Sequence, residues 1–439
     1  MLVHGRTLTV GADGLLQRRN RVFGAAAPLF YEHPLQLVRG EGVWLYDNDG
    51  RRYLDVYNNV PTVGHCHPHV VDAIARQAAA LNVHSRYLHE GSVAYAERLL
   101  SKFDASLSMV MFTCTGSEAN EVALRMARSH TGRNGIICSN LTYHGNTAAL
   151  DEMATLFHGG ESTSPYVRAV RFPDAYRPHY ELDGEALADA YAAEVSAAID
   201  AFEMNGIGFA GMLICPIFAN EGLPCVPDTY LEKVAKIVRE AGGLLIFDEV
   251  QSGFGRTGSM WGHEAVGIVP DLVTLGKPMG NGHPLAGVVG RADLINGFRE
   301  RVMYFNTFGG NQVACAAGMA VLDVIECEGL VDNAADVGAY VMRGLRELQE
   351  KHPLIGDVRG RGLFFGVELV TSRDTKIPAT WQSRRLVNLM KERGVLISRI
   401  GPHDNVLKLR PPLCFSRENA DLMLRTLDAC LGMVGGERG

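Results

Sequence analysis

The chain has 439 residues, 47% of them hydrophobic and 21% charged, an ordinary globular composition with material for about two or three domains. A formal charge of −7 without blocks of like charge argues against nucleic-acid and anionic-membrane partners. Nine cysteines, odd in number and without paired spacing, fit reduced thiols in a cytoplasm better than a disulfide frame.

The opening "MLVHGRTLTVGADGLLQRRN" lacks the apolar core of a signal peptide, and no apolar run reaches membrane-spanning length. From Leu35 to Asn59 alternating apolar positions around an Asn-Asp-Gly turn predict a hairpin. From Met109 the rhythm changes: "MVMFT" predicts a strand, and "GSEANEVALRMARSH" an amphipathic helix after a turn. "GIICSN", "FAGMLIC", "GGLLIFDEV", "DLVTLGK" and "LAGVVG" are further strands, with a helix in "TYLEKVAKIVREAG". Alternating strands and helices imply a mainly parallel sheet covered on both faces. After the helix "NQVACAAGMAVLDVIECEG" the order becomes helix, strand, helix, strand, helix, a smaller α+β unit. The division expected is an N-terminal segment over 1–60, a large domain over 61–328 and a small domain over 329–439.

Open α/β sheets bind ligands at the carboxyl ends of their strands, and four such ends carry complementary chemistry. Gly116 and Ser117 open a helix, whose free amides and serine hydroxyl suit a phosphate; Ser117 is equally a plain N-cap with Glu118 behind it. Tyr143 and His144 follow a strand, where the tyrosine ring could stack on a planar group or simply close a loop. Asp248 ends an apolar strand, so its desolvated carboxylate favours a cationic partner, although it could also be a helix cap. Gln251 follows on the same turn, and Arg256 could neutralise a neighbouring carboxylate. Lys277 supplies an amine at the tip of "LVTLGK". Phosphate cradle, aromatic plate, carboxylate and amine are together what pyridoxal 5'-phosphate requires.

With these motifs in order, "TGSEAN", "YHG", "DEVQSGFGRTG", "TLGKPMGNG" and "NTFGGN", the sequence resembles the class III (omega) aminotransferases, PLP-dependent enzymes of fold type I. That resemblance implies an α/β fold, with a large domain built on a mainly parallel seven-stranded sheet and a small α+β domain. It implies that Lys277 forms the Schiff base and shuttles the proton, and that Asp248 pairs with the pyridine nitrogen. Tyr143 and His144 would lie at the ring, Gln251 near its hydroxyl, and Gly116 and Ser117 at the phosphate. Thr307 would reach the phosphate of a neighbouring subunit, so a homodimer with shared active sites is expected. Asn58, Asn59 and Tyr87, with Lys408 and Arg410, would border the substrate.

No metal is expected: "GHCHPHV" crowds three histidines and a cysteine, but at no zinc spacing. "NVLKLRPPLC" places Lys408 where many relatives carry a carboxylate-gripping arginine and moves the guanidinium to Arg410. In "CPIFANEGLP" the chain has Cys215, Phe218 and Asn220 where relatives that alternate between two substrates often carry Glu, Gln and Glu, with Glu221 one position later. The core motifs leave two reactions open. One is transfer of an amino group from a primary amine or amino acid to a 2-oxo acid, the favoured reading. The other is elimination of phosphate and ammonia from an amino alcohol phosphate such as phosphoethanolamine, as in the phospholyase branch.

Overall fold

The computed structural model describes residues 12–435. The opening segment read for a leader lies outside the described residues up to residue 11, as does the stretch 436–439.

Three sheets organise the described residues. The first holds β1 (Leu37–Glu41), β2 (Trp44–Asp47) and β3 (Arg52–Asp55). The second holds β4 (Met109–Thr113), β5 (Gly135–Ser139), β6 (Val167–Val170), β7 (Phe209–Ile214), β8 (Leu244–Asp248), β9 (Leu272–Leu275) and β10 (Ala286–Gly290). The C-terminal part adds β11 (Ile355–Arg361), β12 (Phe364–Leu369), β13 (Val395–Leu396), β14 (Ser398–Ile400) and β15 (Val406–Leu409).

The central sheet has seven strands in the order β4-β10-β9-β8-β7-β5-β6, and only β10 runs antiparallel to its neighbours. Its inner strands are apolar along their whole length because helices cover both faces; β5, β7 and β8 have every residue buried. On one face the helix Tyr230–Glu240 buries Tyr230, Leu231, Val234, Ala235 and Val238, the spacing of a single helical stripe.

The hairpin expected over 35–59 is part of a larger object. β1, β2 and β3 form a meander, and β13 pairs with β3 in parallel, so the C-terminal part completes this sheet. Among the elements not expected from the sequence are β6 and the helix Gly184–Met204. β6 has only four residues, and the helix is alanine-rich with a weak apolar stripe, so neither shows a clear period. The last sheet, in the order β11-β12-β15-β14, is antiparallel throughout and places Lys408 opposite Gly366 and Ser398.

Candidate active site

The carboxyl ends of β4, β5, β8 and β9 converge on one cavity whose walls include Gly116, Ser117, Tyr143, Asp248, Gln251 and Lys277. Local geometry explains how each arrives.

The helix Gly116–Thr131 is capped by Thr115, not by Ser117. Thr115 Oγ1 accepts from Glu118 N at 3.1 Å, and the Glu118 carboxylate accepts in return from Thr115 N at 3.2 Å. The capping alternative for Ser117 therefore falls, and its hydroxyl faces the cavity, accepting from Asn146 N at 3.3 Å. The first amides of this helix have no intrahelical acceptor and point the same way. Gly145 lets the Tyr143–His144 loop approach: a Cβ there would stand 2.7 Å from Ser117 Oγ.

Asp248 is 7% exposed and fully engaged. Its Oδ2 accepts from His144 Nδ1 at 2.7 Å and from Asn120 Nδ2 at 3.0 Å, while Oδ1 accepts from Val250 N at 3.0 Å. Burial pushes this carboxyl up, but the His144 hydrogen bond and the nearby Lys277 outweigh it and hold it below the usual carboxylate range. The partner that the chain itself gives Asp248 is thus His144. Asn120, unassigned from the sequence, fixes the pair: it also donates to His144 O at 2.7 Å and accepts from Thr274 Oγ1 at 2.6 Å. Its signal lay inside "TGSEAN", one helical turn beyond Gly116 and on the same inner face.

Lys277 begins a short 3₁₀ turn after β9 with φ of +25°, an uncommon setting for a lysine and a mark of local strain. A Cβ at the preceding Gly276 would lie 3.2 Å from Gly116 Cα, so this close approach keeps the lysine beside the helix N-terminus. The ammonium projects into the cavity and has no hydrogen-bond or ion-pair partner among the described residues. Enclosure by protein lowers its proton affinity and Arg410 lowers it further, with Asp248 opposing.

The remaining candidates sit around this centre. Gln251 Nε2 donates to Asn220 Oδ1 at 2.9 Å, its Oε1 accepts from Arg410, and Asn220 Nδ2 donates to Tyr143 O at 2.7 Å. Arg410 also donates from Nε to Tyr57 O at 2.8 Å and lies near Lys277. Lys408 is 3% exposed and donates to the Ala219 carbonyl at 2.9 Å, behind the loop that carries Asn220. Burial, then Arg410 and Lys277, hold it far below the ordinary lysine range. Asn58 donates to Asp55, and Asn59 is buried with its Nδ2 unpartnered. Tyr87 stacks on His84 in an exposed patch with Phe305, outside the cavity of this chain, and Thr307 is exposed in the same region.

One expectation, for Arg256, changes. Arg256 neutralises no neighbouring carboxylate by direct contact. Its Nη1 donates to the carbonyls of Leu363 and Pro411, and burial, then Arg410, bring its pKa down to about 9. The histidines of "GHCHPHV" separate, His65 pairing with Asp55, His67 with Glu328 and His69 with Asp323.

The donor set fits pyridoxal 5'-phosphate. One cavity is lined by a helix N-terminus that could take a phosphate, an ionised carboxylate that could pair with a ring nitrogen, and an unpartnered amine that could take an aldehyde.

Comparison with known proteins agrees. The family model described as Aminotransferase class-III matches residues 29–431. The alanine–glyoxylate aminotransferase 2-like protein of Drosophila melanogaster is 42% identical, over 96% of this chain and 88% of its own length. The ethanolamine-phosphate phospho-lyase homolog 1 of Caenorhabditis elegans is 37% identical, over 96% of this chain and 94% of its own. Among solved structures, a phospholyase from Arthrobacter in complex with phosphoethanolamine is 50% identical with a TM-score of 0.92, covering 95% of this chain and 99% of that one. The chain belongs to the class III aminotransferases, fold type I enzymes that depend on pyridoxal 5'-phosphate.

Proposed function

We propose that this chain carries out class III amino-group chemistry at Lys277, moving an amino group from a primary amine or amino acid to a 2-oxo acid. The observation that carries the reading is the unpartnered Lys277 amine in one cavity with the helix N-terminus at Gly116 and the ionised Asp248.

Pyridoxal 5'-phosphate, when bound, supplies an aldehyde for amine capture and a ring that takes up electrons. The chain does the rest. Gly116 and Ser117 bind the phosphate through amides and hydroxyl, and Tyr143 covers the ring. Asp248 holds a proton at the ring nitrogen, with His144 and Asn120 orienting it. Gln251 lies toward the ring hydroxyl. Lys277 Nζ would hold the cofactor through its aldehyde and would serve as the base for the proton on the substrate carbon; its lowered proton affinity suits a base. Arg410 is the cation placed to meet an anionic substrate end, with Asn58 and Asn59 on the N-terminal side.

Two active sites sharing residues in a homodimer complete this reading. Met303, Phe305 and Phe308, with Tyr87 and Leu88, expose large apolar surface around Thr307. Thr307 of the partner subunit then closes the phosphate site. A cytoplasmic location is part of the proposal; among the described residues no helix is long and apolar enough to cross a membrane.

A second reading is elimination of phosphate and ammonia from an amino alcohol phosphate. Two observations favour it. Lys408 is committed to Ala219 O, so it offers no planar fork to a 2-oxo acid carboxylate. The Arthrobacter phospholyase is also half identical to this chain.

The holoenzyme should be incubated with phosphoethanolamine and, separately, with amine panels plus pyruvate or 2-oxoglutarate. Amino acid formation supports transfer, and release of phosphate with ammonia supports elimination. Neither product with any substrate would overturn both.

A further inference from the structure

The loop after β7 carries Asn220, a side chain that the reaction described above does not use. The backbone around it is unusual. Phe218 and Leu223 both lie in the left-handed region, at φ of +48° and +51°, where residues other than glycine are uncommon. The C-terminal part grips the loop by its carbonyls: Lys408 Nζ donates to Ala219 O at 2.9 Å, and Arg359 Nη2 to Gly222 O at 3.1 Å. Asn220 N donates to the buried Glu221 carboxyl group at 3.1 Å. Backbone strain persists only where the surroundings over-determine it, and it gathers where a side chain has to be presented. The loop residue that lines the cavity is Asn220.

The hydrogen bonds of that side chain run in one direction. At one end Arg410 Nη1 donates to Gln251 Oε1. Gln251 Nε2 donates to Asn220 Oδ1 at 2.9 Å, and Asn220 Nδ2 donates to Tyr143 O at 2.7 Å. A guanidinium only donates and a carbonyl oxygen only accepts. Neither amide between them can therefore turn over without setting donor against donor or acceptor against acceptor. Arg410 Nε is also taken, by Tyr57 O at 2.8 Å. Two anchors fix the guanidinium plane, and among the described residues no carboxylate is hydrogen-bonded to it.

We propose that Asn220 is a positioning residue for substrate selection: by orienting the Gln251 amide it aims the Arg410 guanidinium, free of carboxylate partners, at the anionic end of a substrate amine. An anion that reaches Arg410 meets donors already oriented, so less ordering is left for binding to supply. Without Asn220 Oδ1, Gln251 Nε2 loses its acceptor. The amide is then free to turn its N–H group toward Arg410, and the guanidinium leaves that anchor. The bond to Tyr143 O has a different consequence. It steadies the loop that carries Tyr143 and so serves every substrate alike.

The chemical class selected is a primary amine with an anionic end. A guanidinium takes a carboxylate or a phosphate in its fork, so the relay serves amino-group transfer and phosphate elimination alike. Neutral amines gain nothing from it.

This inference rests on Arg410 meeting the anionic substrate end, as proposed above. The test is the change in visible absorption of the holoenzyme as phosphoethanolamine, β-alanine or butylamine is added, in wild type, Asn220→Leu, Arg410→Gln and the double variant. The quantity read is the half-saturating concentration of the better anionic amine divided by that of butylamine. Arg410→Gln should raise this ratio, and Asn220→Leu should raise it too, on the order of tenfold, the scale of one charge-assisted hydrogen bond. The double variant should raise it no further than Arg410→Gln alone. A purely structural effect, or one acting through Tyr143, would move all three amines together and leave the ratio in place. If Asn220→Leu does not fold, Asn220→Ala removes the same two side-chain hydrogen bonds without added bulk. An unchanged ratio in the Asn220 variant, or additive shifts in the double variant, would overturn the relay. If Arg410→Gln shifts the ratio while the Asn220 variant does not, the relay fails and the placement of Arg410 stands; if Arg410→Gln leaves the ratio in place, the placement itself fails and the relay with it.

Discussion

His144 Nδ1 stands 2.7 Å from Asp248 Oδ2, and both buried residues line the cavity. This pair, held by Asn120, keeps a carboxylate ionised in a setting where burial alone would neutralise it.

Asp248→Asn should therefore fold and lose most turnover. A single charge-assisted hydrogen bond is worth about 1.5–3 kcal/mol, and loss of the electron-accepting ring state should cost more. The measurement is kcat for the better of the substrates identified above, beside a thermal melt. A variant within about tenfold of wild type, a loss smaller than that hydrogen bond alone, would count against the role of Asp248.

The two basic residues of β15 and its exit should separate. Arg410→Gln should raise KM for substrates with an anionic end and spare neutral amines. Lys408→Ala should act on stability, by about 1–3 kcal/mol, since it removes a buried stem and leaves the Ala219 carbonyl without its donor. Steady-state kinetics and denaturant unfolding distinguish them; a selective KM effect at Lys408 with unchanged stability would reverse the assignment.

Lys408 also has a pH signature. Its folded-state pKa lies well below 10.5, so between that lowered value and about 10.5 the unfolded chain binds the extra proton. Stability should consequently rise with pH across that window, and Lys408→Met should flatten the rise. Apoprotein unfolding at a series of pH values reads this directly. A wild-type slope no steeper than that of Lys408→Met would show that the amine is charged in the fold.

Much of the site was legible because its chemistry sits at strand tips, where type and position are coupled. Lys277, Asp248, Gly116 and Tyr143 follow strands whose apolar runs are unambiguous, and the central sheet forms as those runs imply. What was not legible depends on contacts distant in sequence. His144 as the partner of Asp248 is set by the meeting of two strand ends of the large sheet, while Arg256 donating to carbonyls of Leu363 and Pro411 and Lys408 turned to Ala219 join the large and C-terminal parts. Glu221 illustrates the limit best. Read along the chain it is a displaced substrate-side glutamate, whereas in space it is buried and accepts from Ser139 Oγ and Asn220 N, outside the cavity lining.

The central claim is that Lys277 is the amine that carries the cofactor and moves the proton. Borohydride reduction of the holoenzyme, followed by mass mapping of its peptides, tests it most directly. The expected result is a reduced pyridoxyl group on the peptide containing Lys277, with no such adduct and essentially no turnover in Lys277→Ala. An adduct on another lysine, or full turnover in Lys277→Ala, would contradict it.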